Sequence, residues 1–170
     1  MATVAGSGLR IAAWEDYAYS TRGEHFGWWC ESTLKLGQDR FAGPPMILEP
    51  TWQAPVMYEA LAASEDGAPY WKTVVIVLTR KCAKTTTLGA FADYELEQGI
   101  GEPEILLAAG SDKQAGRLFD ACAGFVRRSA ELRGSLIVRH HVGEIARTDG
   151  GGKIIRLSSE GDTQHGATRR

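Results

Sequence analysis

No apolar stretch of this sequence approaches the ~20 residues that a helix needs to cross a bilayer. Paired cysteines are missing as well. Cys30, Cys82 and Cys122 are odd in number and widely spaced, without a C-x-x-C motif. This fits a reducing compartment better than a disulfide framework or a zinc site. There is no surplus of positive charge: 19 basic residues face 21 acidic ones, for a formal net charge of -2. That argues against a general basic coat for nucleic acid while leaving room for a local patch. Glu15 and Asp16 follow close behind a short apolar run, so the start of the chain does not read as a signal peptide. No internal repeat or low-complexity segment occurs. What remains is 170 residues, 44% of them apolar and 24% charged, an ordinary composition for one soluble domain with a sizeable core.

Residues 1–22 carry no sustained periodicity and read as a loosely packed arm, leaving 23–170 as the domain proper. Apolar residues at Phe26, Trp29, Cys30 and Leu34 recur at helical spacing over 24–36. Gly37 and then Gly43-Pro44-Pro45 break the chain. A second helix is expected from Pro50-Thr51, carrying Trp52, Gln53, Val56, Met57, Ala60 and Leu61, and a polar loop follows at 64–69. The second half alternates: a buried strand at 72–78, a helix at 85–98 closed by Gly99, a buried strand at 104–109, and a helix at 112–128 capped by Ser111 or Asp112. Short strands follow at 136–140, 143–147 and 153–157, with Gly150-Gly151-Gly152 as the turn between the last two. The tail from 158 to 170 is polar and reads as frayed. Apolar strands alternating with helices predict parallel pairing through right-handed crossovers.

The run Leu78-Thr79-Arg80-Lys81-Cys82-Ala83-Lys84-Thr85-Thr86 lies between an expected strand and an expected helix. A strand, a short loop ending in Lys-Thr and a helix make a phosphate-binding loop. In such a loop consecutive backbone N–H groups and the helix N-terminus point at the phosphates. Lys84 is placed to neutralise the β- and γ-phosphates, and the Thr85 hydroxyl to complete a magnesium shell. Arg80 and Lys81 add two cations. Both consensus glycines are absent, because Leu78 and Ala83 stand in their places. If position 83 needs a left-handed backbone, its β-carbon costs roughly 1–2 kcal/mol.

Further segments flank this loop in a fixed order. Upstream lie Phe41-Ala42-Gly43-Pro44-Pro45 and Leu48-Glu49-Pro50-Thr51-Trp52-Gln53. Downstream lie Leu107-Ala108-Ala109-Gly110-Ser111-Asp112-Lys113-Gln114-Ala115 and the basic stretch from Phe125 to Arg133. In this order and spacing the chain resembles, from about Gly23 to Gly166, the ATPase part of the large terminase subunit of tailed bacteriophages. The resemblance implies an α/β P-loop NTPase fold with a mostly parallel sheet, helices on both faces in three layers, and a helical N-terminal extension. It implies the ATP-binding portion of a DNA-packaging motor, with ATP and Mg2+ as cofactors. Double-stranded DNA, a portal protein and a small terminase subunit are the implied partners, in a ring homo-oligomer in the host cytoplasm with no membrane involved. By the same resemblance Gln53 reads the adenine edge with Trp52 nearby, and Arg80 contacts the γ-phosphate or couples its state to the motor. Lys84 and Arg80 are then the catalytic cations. The loop residues Lys81, Cys82, Ala83, Lys84, Thr85 and Thr86 hold the nucleotide, with Thr85 on the magnesium ion. Gln114-Ala115 matches a structural motif.

The family continues into an apolar strand ending in Asp-Glu, the Walker B pair, and into a nuclease domain, and neither follows Asp162-Thr163-Gln164-His165-Gly166 here. The expectation is therefore a partial ATPase region that binds nucleotide without efficient hydrolysis. Two other readings stay open: a helicase-like ATPase, and a truncated remnant that binds DNA or a partner without catalysis. Elsewhere, His140-His141 on a strand would face opposite ways and make a poor metal site. Arg127, Arg128, Arg133 and Arg139 are candidates for an arginine reaching a neighbouring subunit or for phosphate contacts with DNA.

Overall fold

The computed structural model describes residues 21–37, 43–63, 69–99 and 101–157. The expectations for the 1–20 arm, for 64–68 and for the tail from 158 lie outside those residues. The first helix, α1 (Arg22–Thr33), opens where Thr21 caps it by accepting a hydrogen bond from the Glu24 N–H. It buries Phe26, Trp29, Cys30 and, just beyond its end, Leu34. It stops earlier than expected because residues 34–36 turn extended to pair with 44–46. Leu36 N–H donates to Pro44 O and Met46 N–H to Leu34 O.

Helix α2 (Gln53–Ala60) follows a turn locked by Glu49, whose carboxylate accepts from the Thr51 N–H, the Thr51 hydroxyl and the Trp52 N–H. These bonds, that of the Thr51 hydroxyl first, hold the Glu49 carboxyl below its usual range. Helix α3 (Lys84–Gln98) ends at Gly99, as its pattern predicts. Strand β1 (Glu104–Leu107) leads into α4 (Asp112–Arg128), capped by the Ser111 hydroxyl at the Gln114 N–H. Along α4 the residues Ala115, Phe119, Cys122, Ala123 and Val126 recur at three- and four-residue spacing and are buried. Gly89 allows α3 to cross α4 closely, since a Cβ there would stand 3.1 Å from that of Ala121. A short α5 (Ala130–Ser135) then precedes β2 (Leu136–Arg139), β3 (Glu144–Arg147) and β4 (Lys153–Arg156).

The four strands form one sheet in the order β1-β4-β3-β2. Its registers place Ile105, Ile154, Ile145 and Val138 in one row, with Leu107 and Leu136 on the same face. This face meets α3 and α4 and joins the core, where Ile145 and Ile154 are fully buried. The opposite face leaves Leu106 and Ile137 exposed.

Three expectations are corrected. The sheet is not mostly parallel: β1 and β4 are parallel, whereas β4–β3 and β3–β2 are antiparallel. The turns at 140–143 and 148–152 are too short for a crossover, so hairpins result. Among the described residues the helices cover one sheet face, giving two layers where three are expected. Finally, residues 74–78, expected within a buried strand, take no regular secondary structure and pair with no strand among the described residues. Val75 and Val77 are 80% and 88% exposed, while Ile76 packs against the core. Branched apolar side chains favour an extended backbone, but only neighbouring strands and a second layer bury both of its faces.

Candidate functional site

The loop from Leu78 to Lys84 carries two residues in the left-handed region, Lys81 (φ 66°) and Ala83 (φ 49°). Ala83 is also the N-cap of α3, with ψ 22°, so position 83 has the backbone that favours glycine and accommodates alanine instead. Residues alternating between right- and left-handed conformations turn successive N–H groups to one side, the geometry of an anion-binding nest. Lys84 reaches back over this turn, its ammonium donating to Leu78 O at 2.7 Å and to Thr79 O at 2.8 Å. One cation thereby ties both ends of the loop. Arg80 and Lys81 are exposed, Thr85 is exposed at the start of α3, and Thr86 is half-buried. The Cys82 thiol lies 2.9 Å from the Thr79 hydroxyl, a contact that closes the loop tip.

Gln53 stands beside the loop, buried, with its amide engaged at both ends. Its Oε1 accepts from the Glu49 N–H at 2.8 Å, and its Nε2 donates to the Thr87 hydroxyl at 3.3 Å. Thr87 in turn donates to Ala83 O at 3.1 Å. A hydrogen-bonded chain therefore runs from the turn at 49–53, through Gln53 and Thr87, to the strained residue of the loop. The spacing of Gln53 from the loop gave no hint of Thr87, whose one signal was its place in the run Thr85-Thr86-Thr87. Trp52, Gln53, Met57, Ile76 and Leu88 enclose a space of only about 40 Å³ on this side.

A much larger cleft, about 650 Å³, opens on the other flank of the loop, toward α4. Ala83, Thr85 and Thr86 line it together with Gly37, Arg117, Asp120, Phe125 and Arg128. Arg128 is held in place by its Nη2, which donates to Gly37 O at 2.7 Å. A Cβ on Gly37 would overlap the Arg128 guanidinium, which would have to swing aside to make room. Sequence reasoning named Arg128 among the basic residues but missed Arg117 and Asp120, which nothing in their spacing marks.

Three further arginines singled out in the sequence are engaged within the chain. Arg127 meets His140 at 3.3 Å, Arg133 donates to Arg127 O at 2.7 Å, and Arg139 pairs with Glu144. His140 and His141 lie in the turn after β2. Among the described residues no cluster of three or more His, Cys, Asp or Glu side chains gathers to hold a metal ion, and no helix is long and apolar enough to cross a membrane.

Buried acids gather farther along α3. Glu97 accepts from the Trp29 indole N–H at 2.7 Å, and the Ser135 hydroxyl lies at 3.5 Å. Burial drives its pKa up to about 7, against the pull of the Trp29 bond. Asp93 is fully buried, both of its carboxyl oxygens lack a hydrogen-bond partner, and burial together with Glu97 raises its pKa strongly.

No protein-family model and no curated protein matches the chain. Among solved structures it is similar to the crystal structure of the HK97 bacteriophage large terminase, with a TM-score of 0.72 and 22% identity over 86% of this chain. The chain spans 29% of the length of that terminase, so the fold described here is shared with a part of it.

Proposed function

We propose that this chain is the nucleotide-binding portion of a phage DNA-packaging motor, in which the loop from Leu78 to Thr86 cradles the phosphates of ATP. The observation that carries this reading is the geometry of the loop. Two left-handed residues, the α3 N-terminus and the Lys84 ammonium converge on one turn. The fold shared with a large terminase supports it. Lys84 exchanges its two loop carbonyls for phosphate oxygens, and Arg80, exposed at the tip, approaches the terminal phosphate. A magnesium ion fits as one carried by the phosphates and held by the Thr85 hydroxyl and water. It would neutralise phosphate charge. ATP hydrolysis coupled to translocation of double-stranded DNA needs, besides this cradle, a carboxylate to position the attacking water. Portal protein, small terminase subunit and further copies in a ring are the partners this reading assigns, in the cytoplasm of an infected host.

A second reading, a partner-binding unit without turnover, is favoured by the exposed valines of residues 74–77. Binding and hydrolysis measured separately distinguish the two. Calorimetry is expected to show ATP binding that Lys84→Ala abolishes, with turnover far below the ~1–10³ s⁻¹ of ordinary enzymes. Absence of ATP binding, or equal binding by Lys84→Ala, would favour the second reading.

A further inference from the structure

We propose that Arg128 distinguishes a nucleoside triphosphate from a diphosphate, leaving its place on Gly37 O to grip the terminal phosphate across the α4-side cleft. This inference rests on the phosphate-cradle reading and adds to it a cation from outside the loop. Three observations carry it. First, Arg128 lines the same cleft as Ala83, Thr85 and Thr86, so its guanidinium and the mouth of the cradle share one space. Gln53 lies on the other flank of Lys84. A nucleotide with its base on the Gln53 flank therefore directs its last phosphate toward the cleft.

Second, the charge of Arg128 is uncompensated. Among the described residues it donates to a neutral acceptor, Gly37 O at 2.7 Å, and no carboxylate pairs with it. Partial burial, and after it the charge of Arg127, pull its pKa below the usual arginine value. A place in the last turn of α4 accounts for a solvated cation, but not for a half-buried one without an anion. Third, the clamp is exchangeable. It is one hydrogen bond from a flexible side chain, and most of the guanidinium N–H donors stay open for a charge-assisted grip on phosphate. Arg117, exposed and likewise unpaired among the described residues, adds a second cation to the cleft against one acid, Asp120. A terminal phosphate suits this place better than a DNA backbone, which needs a strip of open cations. Arg127, Arg133 and Arg139 are already engaged within the chain.

The test compares affinities for ATP and ADP, both with magnesium, by calorimetry. Wild type, Arg128→Gln and Gly37→Ala are measured, each checked for an intact melting transition. Glutamine is uncharged but keeps a donor for Gly37 O. An alanine Cβ at 37 would stand 1.5 Å from the guanidinium carbon, so it drives Arg128 off the clamp and leaves its charge intact. Arg128→Gln is expected to cut the wild-type preference for ATP over ADP by about tenfold, the worth of a hydrogen bond to a charged group, with ADP affinity within about twofold. Gly37→Ala is expected to raise the preference by about threefold, because the clamp no longer has to be broken. A purely structural role for Arg128 would instead move both variants the same way. A wild type without preference, an unchanged preference in Arg128→Gln, or no rise in Gly37→Ala overturns the assignment, while ADP binding leaves the cradle standing. Loss of duplex-DNA binding in Arg128→Gln with the ATP preference kept would give the cleft to DNA instead. Failure of wild type to bind either nucleotide overturns the cradle and the assignment together.

Discussion

Ala83 is where one side chain most directly carries the account. Its φ of 49° confirms that the loop needs a left-handed residue where the sequence offers a β-carbon. Glycine at this position removes a steric cost of roughly 1–2 kcal/mol but loosens the unfolded chain by about 0.4–1 kcal/mol, so Ala83→Gly is expected to raise the melting temperature by roughly 1–3 °C. A lowered melting temperature in a scanning-calorimetry comparison would mean that the loop holds another conformation in solution. The need for αL geometry at 83 was legible because a lysine-threonine loop before a helix imposes it. The link from Gln53 through Thr87 to Ala83 was not, since it joins residues 34 apart through side chains that only the folded chain brings together.

At the scale of the element, α3 joins the loop to a buried acidic cluster. Its boundaries, like those of α4, were legible because strong caps and breakers coincide with the ends of their apolar patterns. Ser111 at one N-terminus and Gly99 at one C-terminus mark them. The acids inside α3 were not legible, because Asp93 and Glu97 look like one solvated face until α1 and α5 close over them. Glu97 titrates near 7 when folded against an ordinary 4.5. The folded state therefore holds the proton more tightly than the unfolded one, and stability falls as pH rises from about 4.5 to about 7. The loss amounts to about 3 kcal/mol once both values are passed. Asp93, raised for the same reason, extends the fall in the same direction. Denaturant melts at pH 5 and pH 8 are expected to show the protein less stable at pH 8, with Glu97→Gln flattening the difference. A wild type more stable at pH 8 than at pH 5 would refute the burial of an uncharged Glu97.

For the whole molecule, the sequence led to most of the elements, though it took 72–78 as a strand and missed α5, and it led to the wrong strand pairing. Hydrophobic runs identify strands but not their neighbours, and the two short turns after β2 and β3 impose antiparallel pairs on what apolar alternation alone takes as parallel. The same gap explains residues 74–78, whose composition is that of a central strand while Val75 and Val77 face outward. Such a surface favours association. Val75→Lys with Val77→Thr is expected to leave the melting temperature within about 2 °C and to reduce self-association in light scattering. Unfolding of that variant would show that the valines are buried in solution. The order of short segments around the loop is what suggested the functional reading, and the fold places Gln53 and the α4 side of the loop on either flank of one lysine. The most direct test of that claim is the melting temperature of this chain with and without magnesium-ATP, measured beside Lys84→Ala. At a ligand concentration of about 100 times Kd, wild type is expected to gain about 2.7 kcal/mol, a rise of roughly 5–10 °C, with no rise in the variant. An unshifted wild type, or an equal shift in Lys84→Ala, would contradict the phosphate cradle.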